Sequence, residues 1–203
     1  DNIDNHTVQF DPVQFYGLVR LPIGNGLTIK AGKYVTMMGA EVINAPNNAL
    51  FSHSYLFNYA IPFTHTGVQF DYPISDDFSV YYSLIKGWDV WSDNNSHLSQ
   101  MFGFYGSVLD GKLSHFLNIH VGPEARGNNN DLRTLVDLGV KYLWTEQLSQ
   151  TVNIDYGIEQ DAAADGGDAQ WWGIANYLTH TVNPQLAATL RAEYFRDDDG
   201  TRL

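Results

Sequence analysis
Apolar and polar residues alternate one by one along most of this chain, and a repeat of three or four residues is nearly absent. Successive side chains of a strand point to opposite faces, so the alternation predicts strands with one apolar and one polar side. Ten are predicted, at about 12–21, 26–36, 64–72, 77–88, 97–108, 112–121, 132–143, 148–158, 170–181 and 185–195. In 77–88, Phe78, Val80, Tyr82 and Leu84 share one face, and Ser79, Tyr81 and Ser83 take the other. In 148–158, Val152, Ile154, Tyr156 and Ile158 oppose Ser149, Thr151, Asn153 and Asp155. Two strands are ambiguous: Phe102 and Phe104 compete with Met101 and Tyr105, and Trp171 is adjacent to Trp172. The best helix candidate, Ser54–Ala60, is too short to be stable alone.

The connections between these strands alternate short and long. The short ones are Pro22–Asn25, Pro73–Asp76, Leu109–Gly111, Thr145–Gln147 and Val182–Pro184. Asn25-Gly26 and Asp110-Gly111 tolerate the positive φ of tight hairpin turns. The long ones are Met37–Phe63, Asp89–Ser96, Gly122–Asp131, Glu159–Ala169 and the tail after Arg196. Outer-membrane barrels have this asymmetry, and a tilted strand needs roughly 9–11 residues to cross a bilayer. A soluble sandwich also has one polar face per strand, so alternation alone leaves both architectures open. A propeller blade would need four strands per repeat, whereas the repeat here is a hairpin.

Composition narrows the setting. Charged residues are 17% of the 203, against roughly 25% in ordinary soluble domains. Aromatics reach 14%, which argues against disorder. The absence of Cys excludes disulfides and thiolate metal sites. No apolar run approaches the roughly 18 residues of a membrane-spanning helix, a limit that does not touch barrels. The net charge of −12 argues against a nucleic-acid partner. Tyr16, Tyr34, Tyr72, Trp88, Tyr142, Trp144, Tyr156, Trp171, Trp172 and Phe195 lie near predicted strand ends, where rings settle in the headgroup layer. The plainer explanation is that aromatics form strands well.

Several stretches are more specific. They are Gly39-Ala40-Glu41-Val42-Ile43, Pro46-Asn47-Asn48, Ser54-Tyr55-Leu56-Phe57 and Tyr59-Ala60-Ile61-Pro62-Phe63-Thr64-His65-Thr66-Gly67-Val68. Gly87-Trp88-Asp89, Asp93-Asn94-Asn95, Gly122-Pro123-Glu124 and Arg191-Ala192-Glu193-Tyr194-Phe195-Arg196 follow. With these the chain resembles the putative β-barrel porin, OmpL-like family of bacterial outer-membrane proteins over most of residues 12–203. The resemblance implies an all-β, transmembrane, antiparallel up-and-down barrel that passes small solutes by diffusion, with no catalytic residues. Members usually run considerably longer, so the expectation is one barrel domain over 1–203, with about ten strands of a larger barrel visible and strands lacking at one or both ends.

Within that reading, the polar faces would line the pore through Arg20, Lys30, Asp71, Arg133, Asp137, Lys141, Asp155, Arg191 and Glu193. Both signs are present, so weak ion selectivity is expected; cross-strand bracing of the wall is an equal alternative. The 37–63 loop carries little charge and is apolar in two blocks, unlike a loop dangling in water. It is expected to fold into the barrel mouth as a constriction, presenting Glu41, Asn44, Asn47, Asn48, His53 and His65 to solute. A lid over the rim, a subunit contact or plain surface are the alternatives. The seven His show no HExxH or similar ligand spacing, and there is no Gly-x-Ser-x-Gly elbow, so neither an enzyme nor a cofactor is expected. The acidic loops at 89–95, 161–168 and 197–199 fit no EF-hand template and read as a solvated outer surface. The expected partners are outer-membrane lipid and small hydrophilic solutes; homo-oligomers are common among porins, and the sequence shows none. The competing functions are a non-conducting structural or adhesive barrel and a soluble carbohydrate-binding sandwich.

Overall fold
The computed structural model describes residues 3–5, 8–10 and 12–203, with side chains from residue 12 onward. Two short strands, β1 (Ile3–Asn5) and β2 (Val8–Phe10), pair with each other. Ten more follow: β3 (Phe15–Leu21), β4 (Leu27–Val35), β5 (Thr64–Ser75), β6 (Phe78–Ile85), β7 (Ser99–Val108), β8 (Leu113–Pro123), β9 (Leu132–Leu143), β10 (Leu148–Glu159), β11 (Ala169–Asn183) and β12 (Leu186–Asp197). Each lies where the alternation predicts one. They form a single antiparallel sheet in sequence order, every strand beside its chain neighbours, with β3 and β12 at its two unpaired edges. A sandwich, which needs two stacked sheets, and a propeller are thereby excluded among the described residues. No helix there is long and apolar enough to cross a membrane.

Turns set this meander. At the β7–β8 hairpin Leu109, Asp110 and Gly111 all have positive φ, a conformation that Asp and Gly reach more easily than other residues. The predicted Pro73–Asp76 turn is shorter than expected, because β5 runs on to Ser75 through a bulge at Ile74, just past Pro73. A second bulge carries β11 to Asn183. Asn25 braces the β3–β4 turn from its side chain, donating to Pro73 O and Ile74 O.

The ladders divide the sheet into two chemically opposite faces. One carries Phe102 and Phe104, Val136 and Leu138, Ile154 and Tyr156, Trp172 and Ile174, Leu190 and Tyr194. It is bare: Ile154 is 41% exposed and Leu190 68%. Of the Asp, Glu, Lys and Arg in β3–β12, only Lys33 and Arg196 fall on it, both within two residues of the long-loop end. The other face is covered by the 36–63 segment, and the buried cluster sits between them, with Tyr34, Tyr81, Met101, Leu135, Trp171 and Tyr177 from strands and Leu56, Phe57, Ala60 and Ile61 from the segment. Trp171 points to this covered face and Trp172 to the bare one, which resolves that ambiguity; Met101 and Tyr105 likewise point inward.

The covered face also has a repeated packing device. Five cross-strand pairs set an aromatic residue opposite glycine: Tyr16–Gly32, Tyr81–Gly103, Phe116–Gly139, Trp171–Gly157 and Phe195–Gly173. A Cβ at Gly157 would come within 2.1 Å of the Trp171 ring, and one at Gly139 within 2.1 Å of Phe116. Glycine there is needed for space.

Candidate functional site
Among the described residues, the covered face and the segment lodged on it make a densely built polar site. The apolar block Leu56–Ala60 forms a single wide helical turn of π type, close to the predicted Ser54–Ala60. Leu56, Phe57 and Ala60 are buried by it. Side chains of the strands, and Arg202 beyond β12, then bind the segment's backbone at successive points. Asp137 Oδ2 accepts from Gly39 N at 2.8 Å, and Asn153 Oδ1 from Ala40 N at 3.0 Å. Asn118 Nδ2 donates to Met37 O, and Trp171 Nε1 to Ala60 O at 3.1 Å. Arg202 Nε donates to Tyr59 O at 2.7 Å. At the far side Glu193 Oε2 accepts from Tyr55 N at 2.6 Å.

Glu41 is the segment's own anchor. It is 6% exposed. Its Oε1 accepts from Tyr177 OH at 2.9 Å and lies 3.1 Å from Arg191 Nη1, while Oε2 accepts from Ser54 N at 2.7 Å. Arg191 also donates to Ser52 O and His53 O and pairs with Glu193 at 3.1 Å. A buried carboxylate holds its charge only when paired and hydrogen-bonded, and this one is both.

The two triplets Gly87-Trp88-Asp89 and Gly122-Pro123-Glu124 meet at the long-loop end of the sheet. Trp88 N–H donates to Glu124 Oε2 at 2.6 Å and Ser99 Oγ to Oε1 at 2.6 Å, with His120 Nε2 3.0 Å from the same oxygen. Gly87 has φ +141°, and a Cβ there would lie 2.7 Å from Glu124 Oε2. Burial pushes the Glu124 carboxyl up, but the His120, Ser99 and Trp88 contacts outweigh it, and its pKa lies below the usual value. Asp89 closes the segment by accepting from Phe63 N and Thr64 N at 2.7 and 2.8 Å. For Asp89 burial wins over those bonds, and its pKa lies above the usual value. The Trp88 ring is flanked by the guanidiniums of Arg133 at 4.8 Å and Arg202 at 4.9 Å.

All nine residues named above as strand candidates (Arg20, Lys30, Asp71, Arg133, Asp137, Lys141, Asp155, Arg191 and Glu193) lie on the covered face. Many are bound. Arg133 forms a two-point pair with Glu159. Asp155 faces Asp137 directly across the ladder, fully buried, carboxyl against carboxyl. Of the six loop candidates, Asn44 and Asn47 are exposed. Asn48 and His53 bond the segment's own Val42 backbone, and Glu41 is buried as an anchor. His65 lies in β5, buried, bonding Thr36 Oγ1 at 3.0 Å. Five expected girdle aromatics are placed otherwise. Tyr16, Tyr34, Trp171 and Phe195 face the covered side by strand parity, and Trp88 packs in a loop. Among the described residues no group of three or more His, Asp or Glu side chains is placed to hold a metal ion.

The family model described as "Putative beta-barrel porin-2, OmpL-like" matches residues 3–203. The chain belongs to that family. Its place is the bacterial outer membrane. The fold is similar to that of the outer membrane channel DcaP of Acinetobacter baumannii, with a TM-score of 0.61, 15% identity and 90% of this chain covered. The OmpL-like chain spans 66% of the length of that channel. No curated protein matches it by sequence.

Proposed function
We propose that this porin passes small hydrophilic solutes by passive diffusion through a water-filled barrel, with the 36–63 segment folded inside as the constriction. The observation that carries the reading is the division of the sheet. Strand charges other than Lys33 and Arg196 sit on the face that the segment covers, and the opposite face is apolar and bare. A charge at the bilayer midplane of a barrel costs about 2–4 kcal/mol, so the bare face suits lipid and the other suits water. Arg20, Lys30, Asp71 and Lys141 then belong to the pore wall, while Asp137, Arg191 and Glu193 hold the constriction in place. Since Arg133 and Arg191 are paired with acids, weak ion selectivity follows.

One observation favours a second reading, a plugged and non-conducting barrel: Leu56, Phe57 and Ile61 pack into the wall as a core does. Planar-bilayer recording separates the two. Stepwise conductance supports the channel. Protein that inserts and never conducts refutes it and leaves the plugged barrel.

A further inference from the structure
Below the lodged segment, at the short-turn end of the same face, a hollow of about 420 Å³ remains. That is within the range of small-molecule sites, roughly 300–1,000 Å³. Its back wall is the cross-strand pair Tyr105 and Phe116, both half-buried. Phe116 lies over Gly139, which removes the only side chain that would lift the ring off the wall. Around the two rings stand the hydroxyls of Ser79, Ser107, Ser114 and Thr151. None of the four hydroxyls bonds another side chain or the backbone among the described residues. Lys141 stands on one side and Asp76 and Asp77 at the lip on the other, so no single sign of charge dominates.

We propose that this hollow is a binding site for a neutral sugar ring, entered from the short-turn, periplasmic end. The inference rests on the reading of the covered face as solvent-filled. A pyranose has apolar C–H faces and a rim of hydroxyls that donate and accept. The paired rings match the faces, and free Ser and Thr hydroxyls, which also donate and accept, match the rim. An apolar solute would leave the four hydroxyls unpaired, and an ion would meet charge of its own sign at Lys141 or at Asp76 and Asp77.

The test uses the full chain, purified in detergent, with maltose as the probe and saturation-transfer NMR as the readout. Transfer to the maltose ring protons is expected, insensitive to added salt. Phe116→Ala and Tyr105→Ala should each weaken binding at least tenfold. The pair Ser114→Ala with Thr151→Val, which leaves the rings in place, should weaken it several-fold, so the proposal stays testable if a ring variant fails to fold. Absence of transfer overturns the site, as does binding that none of these substitutions alters, or that salt abolishes. Maltose binding by protein that never conducts sinks the diffusion reading alone; a conducting channel without maltose binding sinks this proposal alone.

Discussion

At the scale of single residues, buried side chains tie one stretch of backbone to another. Glu41 is the clearest case, since Tyr177, Arg191 and Ser54 all converge on it. Breaking a buried pair leaves an uncompensated charge, so Arg191→Ala should cost about 3–5 kcal/mol. The loss should show as faster amide exchange at Ser54 and Tyr55, whose N–H groups bond Glu41 and Glu193. Unchanged exchange there would mean the segment is held elsewhere. Gly157→Ala places a methyl in the Trp171 ring and should destabilise by about 1–3 kcal/mol, read as a lower urea midpoint. Glu124 supplies a pH signature. Its folded pKa is depressed, so its contribution is complete above the ordinary carboxylate range and is lost as pH falls through the lowered value. Melting of the native protein should therefore fall faster on acidification than that of Glu124→Gln. Asp89 has the opposite sign: its raised pKa means that stability is lost as pH climbs through it. Parallel acid profiles for the native protein and Glu124→Gln would contradict the assignment.

At the scale of elements, all ten strands of the large sheet were legible because lipid and water enforce period two. Parity also decides which of Trp171 and Trp172 faces in, but only once a register is known, and the register comes from turns and bulges that one sequence does not spell out. The bulge at Ile74 shows this: Pro73 reads as a turn signal, yet it pairs with Ser79 and the strand runs two residues further. Girdle residues failed for the same reason. Position near a strand end says nothing about face, and Tyr34 and Phe195 turned inward. The aromatic–glycine pairs had a signal in the sequence, glycines at strand interiors, whose meaning depends on the neighbour across the ladder. That the 36–63 segment packs rather than dangles in water was foreseeable from its apolar blocks, but the partners of its polar residues were not. A polar residue such as Glu41 reads as solute-facing until the Arg191 and Tyr177 opposite it are known. Replacing residues 42–52 by a short Gly-Ser link should raise single-channel conductance severalfold if the segment constricts the pore; unchanged conductance would place it outside the path.

At the scale of the whole molecule, the sheet resembles an inside-out protein. Its apolar side chains point away from the packed interior, and Leu138, Ile154, Leu178 and Leu190 are all more than a third exposed. Water would not tolerate such a face, while a bilayer requires it. The edges at β3 and β12 carry the same message, since unpaired strand edges are not stable in hydrocarbon and call for further pairing. The absence of Cys makes the division of faces directly measurable. Single cysteines placed at each position from Thr151 to Ile158, in protein reconstituted into liposomes, can be probed with a water-soluble maleimide and with a lipid-phase quencher. The account predicts a period of two, with quenching at positions 152, 154, 156 and 158 and maleimide reactivity confined to the alternate set. Equal maleimide labelling of both sets, or quenching on the Asn153 and Asp155 side, would contradict it.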